Sequence, residues 1–283
     1  MKFERIDGRT FDSVRPINLK FDALGYADAS VLLEIGNTKV FVAVSFQNKV
    51  PPFLKGSNTG WLTAEYAMLP CATQKRTIRD SNQIQKNSRS VEISRLIGRS
   101  LRTVVDLTCF GEKTIIVDCD VLQADGGTRV ACITAANLAL KLAEKRWFNA
   151  GLIQKNILKD SIAAISVGLV QEQPILDLSY EEDSQANSDF NFILTKSGKI
   201  IEIQGTSEKE PLEWNLFEEL KKLAIKGIED IFVVEKDELK KLNDIAMAKD
   251  LSDKEEYQIK SKKDSHKKQS FFSLQNRVSE KSI

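Results

Sequence analysis

Between 115 and 122 the chain alternates about two aspartates. Ile115, Val117, Cys119 and Val121 stand against Ile116, Asp118, Asp120 and Leu122. A period of two predicts a strand with one apolar face and one face carrying two carboxylates. Val-, Leu- and Phe-rich runs over Ala29 to Ile35 and Lys39 to Phe46, parted by Gly36-Asn37-Thr38, predict a hairpin. Gly60 to Leu69 predicts a further strand, ended by Pro70. Helical spacing follows in two places: Ile93, Ile97, Leu101, Val104 and Val105, then Ala131, Ala135, Leu138 and Leu142 within Thr128 to Arg146. Ser161 to Val170, Pro174 to Tyr180, Ser188 to Thr195 and Lys199 to Gln204 predict four more strands and hence a second sheet. Helices over Leu212 to Ile228 and Lys236 to Lys249 flank a short apolar strand, Asp230 to Val234. The segment from Arg5 to Arg15-Pro16 is polar and reads as an extended arm. From about Asp250 Lys, Ser, Glu and Gln dominate and the folded pattern fades, with Phe271-Phe272 as stray aromatics.

Length and composition narrow the possible chemistry. A chain of 283 residues, 42% hydrophobic, can bury one large core or two modest ones. Its formal charge is only +1, so affinity for a polyanion has to come from local clusters. Lys2-Phe3-Glu4-Arg5 follows Met1 without an apolar signal core, and no apolar run approaches a membrane span; a soluble, cytoplasmic protein without membrane attachment is expected. Cys71, Cys109, Cys119 and Cys132 form no Cys-x-x-Cys pair and are expected to be reduced. The single histidine, His266, sits in the lysine-rich tail, which removes Ser/His/Asp, Cys/His and His-based zinc chemistry. Carboxylates, guanidinium groups, lysines or a metal remain.

Three clusters offer such chemistry. After the alternating strand come Asp125-Gly126-Gly127-Thr128-Arg129, where the glycines allow positive φ and Thr128 can cap the following helix. Helix N–H groups backed by Arg129 suit an anion, although an ordinary strand-turn-helix connection has the same local pattern. No Gly-Lys-Ser/Thr occurs, so a Walker-type loop is excluded. Between Gln74 and Arg102 lie Lys75, Arg76, Arg79, Lys86, Arg89, Arg95, Arg99 and Arg102 against Asp80 and Glu92. Thr73 to Ser88 reads as a mobile loop suited to RNA phosphates, and Arg89 at the helix start as a ligand-binding group. Arg102 and Arg95 read as a solvated helix face. Glu181-Glu182-Asp183, ending one strand, and Asp189, opening the next, would meet across a hairpin; this is either a solvated acidic turn or a group of hard oxygens for Mg²⁺ or Mn²⁺.

Taken together, Arg15-Pro16, Phe53-Leu54-Lys55-Gly56, Gly60-Trp61, Thr63-Ala64-Glu65-Tyr66, Asp118 to Arg129, Glu182-Asp183-Ser184, Asp189 and Ile203-Gln204-Gly205-Thr206 resemble the ribonuclease PH family. The resemblance implies an α/β (α+β) fold, related to the second domain of ribosomal protein S5, of mixed sheets with packed helices. It implies a first domain over 1–157 and a second over 158–243; the Lys/Ser-rich extension over 244–283 lies outside the resemblance and, by its composition, is expected to be disordered. The activity implied is that of a phosphate-dependent 3′-to-5′ exoribonuclease and tRNA nucleotidyltransferase, which trims RNA 3′ ends, precursor tRNA above all, releases nucleoside diphosphates and runs in reverse. Arg89, Gly127, Thr128 and Arg129 are the implied phosphate ligands, and Asp183 and Asp189 the catalytic, metal-binding carboxylates. Lys75, Arg76 and Arg79 are the implied RNA contacts. Mg²⁺ or Mn²⁺ is the implied cofactor, inorganic phosphate the co-substrate, and a homohexamer, a trimer of dimers, the assembly. Cys71 and Lys86-Asn87-Ser88 depart from the family pattern, where a basic residue and glycines are expected. The alternative is a catalytically silent RNA-binding ring subunit of an exosome-like assembly.

Overall fold

The computed structural model describes residues 4–79 and 87–245. Lys86, His266, Phe271-Phe272 and the rest of the Lys/Ser-rich tail from 246 lie outside the described residues. The first compact unit runs from Met1 to Val234, and Glu235–Ile283 is the second.

A five-stranded sheet has the order β1-β2-β3-β5-β4. Its strands are β1 (Ile17–Phe21), β2 (Ala29–Ile35), β3 (Thr38–Gln47), β4 (Trp61–Met68) and β5 (Thr114–Gln123). β2 and β3 form the expected hairpin about Gly36, whose φ is +54°. β3 joins β5 antiparallel and β4 joins β5 in parallel. A parallel neighbour needs a crossover, which is α1 (Ser88–Val104), lying on β4. In β5, Ile115, Val117, Cys119 and Val121 are buried, as the alternation predicts.

The second sheet has the order β7-β6-β8-β9 and is antiparallel throughout. It comprises β6 (Ile162–Val170), β7 (Gln173–Leu176), β8 (Ser188–Thr195) and β9 (Ile200–Ser207). Between the sheets runs α2 (Thr128–Asn149), packed on β2 and β3 on one side and on β6 on another. Covered from several directions, α2 buries fifteen residues and shows no narrow apolar stripe. For the same reason every residue of β6 is buried, which explains its continuous apolar run.

Two expected strands are corrected. Pro174 to Tyr180 is strand only to Leu176, and Tyr180 starts a helix, α3 (Tyr180–Gln185). Asp230 to Val234 is helical, within a helix, α4, over 214–234; residues 235–245 are helical as well. Leu220, Ala224, Ile228 and Ile231 recur at helical spacing and pack on β6 and β8. Burial on that face outweighs the strand propensity of the β-branched run. Among the described residues no helix is long and apolar enough to cross a membrane.

Phe192 of β8, 1% exposed, anchors the core beneath α4, whereas Trp214 is 81% exposed. Phe192→Ala is expected to lower unfolding free energy in urea by about 3–5 kcal/mol. Trp214→Ala is expected to change it by less than about 0.5 kcal/mol.

Candidate active site

The C-terminal end of β5 leads into the turn Asp125-Gly126-Gly127. Both glycines have positive φ, +78° and +67°. A Cβ on Gly126 would come within 2.5 Å of the Leu178 carbonyl oxygen, so this turn and the β7–α3 connection approach as closely as backbone allows. Thr38 Oγ1 donates to Gly126 O at 2.7 Å and accepts from Asp125 N at 3.0 Å. Gly127 is the N-cap of α2 and supplies no side-chain acceptor. Thr128 is therefore not the cap: it is the first helical residue, and its buried hydroxyl lies 3.0 Å from that of Tyr66. The first N–H groups of α2 consequently lack a capping side chain, as an anion site requires. Burial pushes the Tyr66 phenol up to about 12 despite its bond to Thr128, so it stays neutral and the contact is between two hydroxyls.

The acidic residues form no hairpin tip. Ser179 caps α3, accepting from Glu182 N at 3.4 Å, while Glu182 Oε2 accepts from Ser179 N at 2.9 Å. This capping box turns Glu182 inward, where Arg5 grips both its oxygens at 2.8 Å. The buried guanidinium keeps Glu182 ionised, below its usual range, against the opposing effect of burial. Glu182 is thus a structural acid, and Asp183 beside it, exposed as a residue, lies in the wall of the open cleft. Asp189 occupies the second position of β8, with Thr206 Oγ1 donating to it at 3.2 Å from β9. Loss of water around Asp183, then the charges of Asp189 and Glu208, push its carboxyl upward; Arg89 and Arg129 oppose this. Asp183 thereby senses the second acid and both arginines.

Arg89 is the second residue of α1, and its N–H donates to the N-cap Asn87 at 3.0 Å. Arg129 reaches Gln204 Oε1 of β9 at 3.1 Å and Glu92 Oε1 at 3.4 Å. Together these groups line one open cleft of about 1280 Å³. The cleft includes Lys75, Arg89, Gly127, Thr128, Arg129, Asp183 and Asp189. Arg76 and Arg79 do not line it: Arg76 donates to Thr77 O, and Arg79 faces Asp120 closely enough to oppose the upward push of burial on that carboxyl. Asp118 and Asp120 likewise belong to the outer face of the first sheet. Part of the Thr73 to Ser88 loop, 80–86, lies outside the described residues.

The structure adds groups that strand and helix patterns did not single out as functional: Tyr180, Asn191 and Glu208 in the cleft wall, and Arg15 behind the turn. The polar arm is docked. Arg15 Nε and Nη2 donate to Asp177 at 2.9 and 2.8 Å, Nη1 donates to the Asp125 carbonyl, and Nη2 also reaches the Gly126 carbonyl at 3.5 Å. Arg102 is also not simply solvated: it donates to Leu62 O at 3.0 Å and lies over the Trp61 ring. Arg99 pairs with Glu202, while Arg95 is exposed.

No group of three or more His, Cys, Asp or Glu side chains arranged to hold a metal occurs among the described residues. Two mutually repelling carboxylates in an open cleft still fit Mg²⁺ or Mn²⁺, which take hard oxygens and keep several waters or substrate oxygens.

Residues 13–146 match the first domain, and 160–227 the second, of a family described as the 3′ exoribonuclease family. The chain is 50% identical over 236 residues to ribonuclease PH of Bacillus subtilis (strain 168), covering 83% of this chain and 96% of that one. It is 48% identical over 223 residues to ribonuclease PH of Neisseria meningitidis serogroup B, covering 79% and 92%. Among solved structures, an archaeal exosome core has 25% identity and a TM-score of 0.66, with coverage of 82% and 91%. The Archaeoglobus fulgidus exosome with RNA bound to its active site has 24% identity and a TM-score of 0.67, with coverage of 81% and 91%. Rice Rrp46 has 19% identity and a TM-score of 0.66, with coverage of 82% and 98%. These structures share the α/β fold.

Asp183 is harder to ionise in the fold than in an unfolded chain, so its charge lowers stability above its folded pKa. That penalty fades as pH falls toward the ordinary aspartate value. Asp183→Asn is therefore expected to be more stable than wild type at neutral pH without divalent metal. The difference should shrink on acidification, read as urea midpoints across a pH series.

Proposed function

Since the chain belongs to the 3′ exoribonuclease family, in its ribonuclease PH branch, we propose that the charged cleft is the catalytic centre of its phosphate-dependent 3′-to-5′ exoribonuclease activity. The reaction trims RNA 3′ ends in tRNA processing, with inorganic phosphate as co-substrate. The observation that carries the assignment is that one cleft holds two arginines and an uncapped helix start facing two carboxylates.

In this reading Arg89, Arg129 and the N–H groups at Gly127 and Thr128 hold inorganic phosphate. A phosphate oxygen attacks the last phosphodiester phosphorus in line with the 3′ oxygen of the preceding nucleotide, which leaves with the shortened RNA. The terminal nucleotide departs as a nucleoside diphosphate. Phosphate is already anionic at neutral pH, so no histidine base is needed; the protein's task is to place two anions together against their repulsion. Asp183 and Asp189 would hold Mg²⁺ or Mn²⁺, which, when bound, draws charge from the scissile phosphate and supports the leaving oxygen. A phosphodiester is exchanged for a phosphoanhydride, so the same groups serve the reverse addition. Lys75 lines the path of the RNA backbone, and Arg76 and Arg79, outside the cleft, extend the basic track along it. Residues 1–157 supply the phosphate groups and 158–243 the acids. Precursor tRNA is the main substrate, and a homohexamer built as a trimer of dimers is the working assembly; both rest on the family resemblance. The silent-scaffold alternative is disfavoured because both arginines and both aspartates are present in one cleft.

With a 3′-hydroxyl RNA and Mg²⁺, nucleoside diphosphates are expected only when inorganic phosphate is added. Release of monophosphates without it would mean hydrolysis. Arg129→Ala is expected to raise the KM for phosphate about ten- to a hundredfold, the loss of one charge-assisted contact, while RNA affinity changes far less. Equal losses in both would remove Arg129 from the phosphate site.

A further inference from the structure

The charged groups account for both phosphates of the reaction, but nothing so far receives the base of the nucleotide being removed. Tyr180 is the one aromatic residue among the described residues that line the cleft. It is 55% exposed and stands at the first position of α3. No aromatic side chain among the described residues pairs with it.

Its placement is well determined. The Tyr180 N–H donates to Asp125 Oδ1 at 3.4 Å, and a Cβ on Gly126 would lie 2.9 Å from the Tyr180 nitrogen. The residue therefore starts against the phosphate turn. Asp183 follows three positions later, one helical turn along, which brings ring and carboxylate to the same side of α3. A nucleoside whose phosphate sits between the glycine turn and Asp183 has its base within reach of this ring.

We propose that Tyr180 is the stacking platform for the 3′-terminal nucleobase, a specificity-setting residue that makes the cleft tolerant of base identity. This rests on the catalytic reading above. An enzyme that trims successive nucleotides has to accept every base. Stacking serves that need because every base has a π-face, whereas a hydrogen-bonded pocket would reject some. Apart from Met68, Ala124 and Ile203, none of which carries a flat ring, the remaining cleft wall is made of glycines and of charged and polar groups suited to phosphate and ribose. The phenolic hydroxyl has no part in this role, so phenylalanine should replace tyrosine.

The test is a double-mutant cycle between ring and base. Binding of a short RNA, by fluorescence anisotropy with Mg²⁺ and without phosphate, is compared for oligonucleotides with an intact or an abasic 3′-terminal nucleotide. Loss of the terminal base should weaken binding to wild type and to Tyr180→Phe about tenfold, the scale of one base–aromatic stack. It should leave binding to Tyr180→Ala nearly unchanged. The KM for phosphate should be the same in all three proteins, which a general disturbance of α3 would not allow. Equal sensitivity of wild type and Tyr180→Ala to the abasic end would overturn the proposal. So would failure of Tyr180→Phe to behave as wild type, or coupling only to the penultimate base. Because binding is read without chemistry, a wild type that releases monophosphates or nothing would count against the catalytic reading while the cycle still reports on Tyr180.

Discussion

The site depends on one buried charge pair, Arg15 with Asp177. Arg15 comes from the N-terminal arm and Asp177 from the link between β7 and α3, yet the guanidinium also bonds the carbonyls of Asp125 and Gly126. Three segments distant in sequence are thus joined through one planar group. Burial alone would make Arg15 easier to deprotonate, but Asp177, Asp125 and Glu182 reverse that and hold it charged. Such a pair gains little net stability over well-packed apolar residues, whereas breaking it leaves an uncompensated buried charge, typically at a cost of about 3–5 kcal/mol. Its value here is geometric. With Arg5 locking Glu182 and the carbonyls of Leu176 and Asp177, the arm sets the glycine turn that meets phosphate against the short helix that carries Asp183.

Once those two elements are fixed, the cleft has an electrostatic polarity that invites its ligands. Arg89 and Arg129 lie close enough to act on Tyr66, which meets Thr128 at the start of α2, while Asp183 and Asp189 lie close enough to repel each other. The upward push on Asp183 shows that water loss and the neighbouring acids outweigh the two arginines there. A divalent cation on the acids and an anion on the arginines would each relieve a local excess of charge. The arrangement therefore stores no special reactivity in a single side chain, in keeping with a reaction whose nucleophile arrives already ionised.

Much of this was legible in the chain where the signal is local. The alternation through β5, the paired glycines with positive φ and the apolar period of α1 each follow from a few adjacent residues. The resemblance then assembled Arg89, Arg129, Asp183 and Asp189, which the fold brings to one cleft. What escaped was long-range or masked by competing patterns. Nothing near Arg15 announces a partner 162 positions away, so the arm looked merely polar. Ile231-Phe232-Val233-Val234 has strand propensity, yet it is helical, with Ile231 and Phe232 packed against the core of β6 and β8. Ser179-Tyr180-Glu181-Glu182 was readable as a capping box, a serine followed three places on by glutamate, and would have separated structural Glu182 from Asp183 at once. Thr128 reads as a helix cap in the sequence, but Gly127 in its left-handed conformation is the N-cap and the Thr128 hydroxyl meets Tyr66 instead.

The central claim is that phosphate bound at the start of α2 is itself the nucleophile. Oxygen labelling tests it most directly. RNA with a 3′-hydroxyl end would be incubated with Mg²⁺ and ¹⁸O-labelled inorganic phosphate in ordinary water, and the released nucleotides analysed by mass spectrometry. The account predicts nucleoside diphosphates carrying the phosphate's label in the β-phosphate and in the bridging oxygen. Unlabelled monophosphates, or label entering the product only when ¹⁸O is supplied in water, would contradict it.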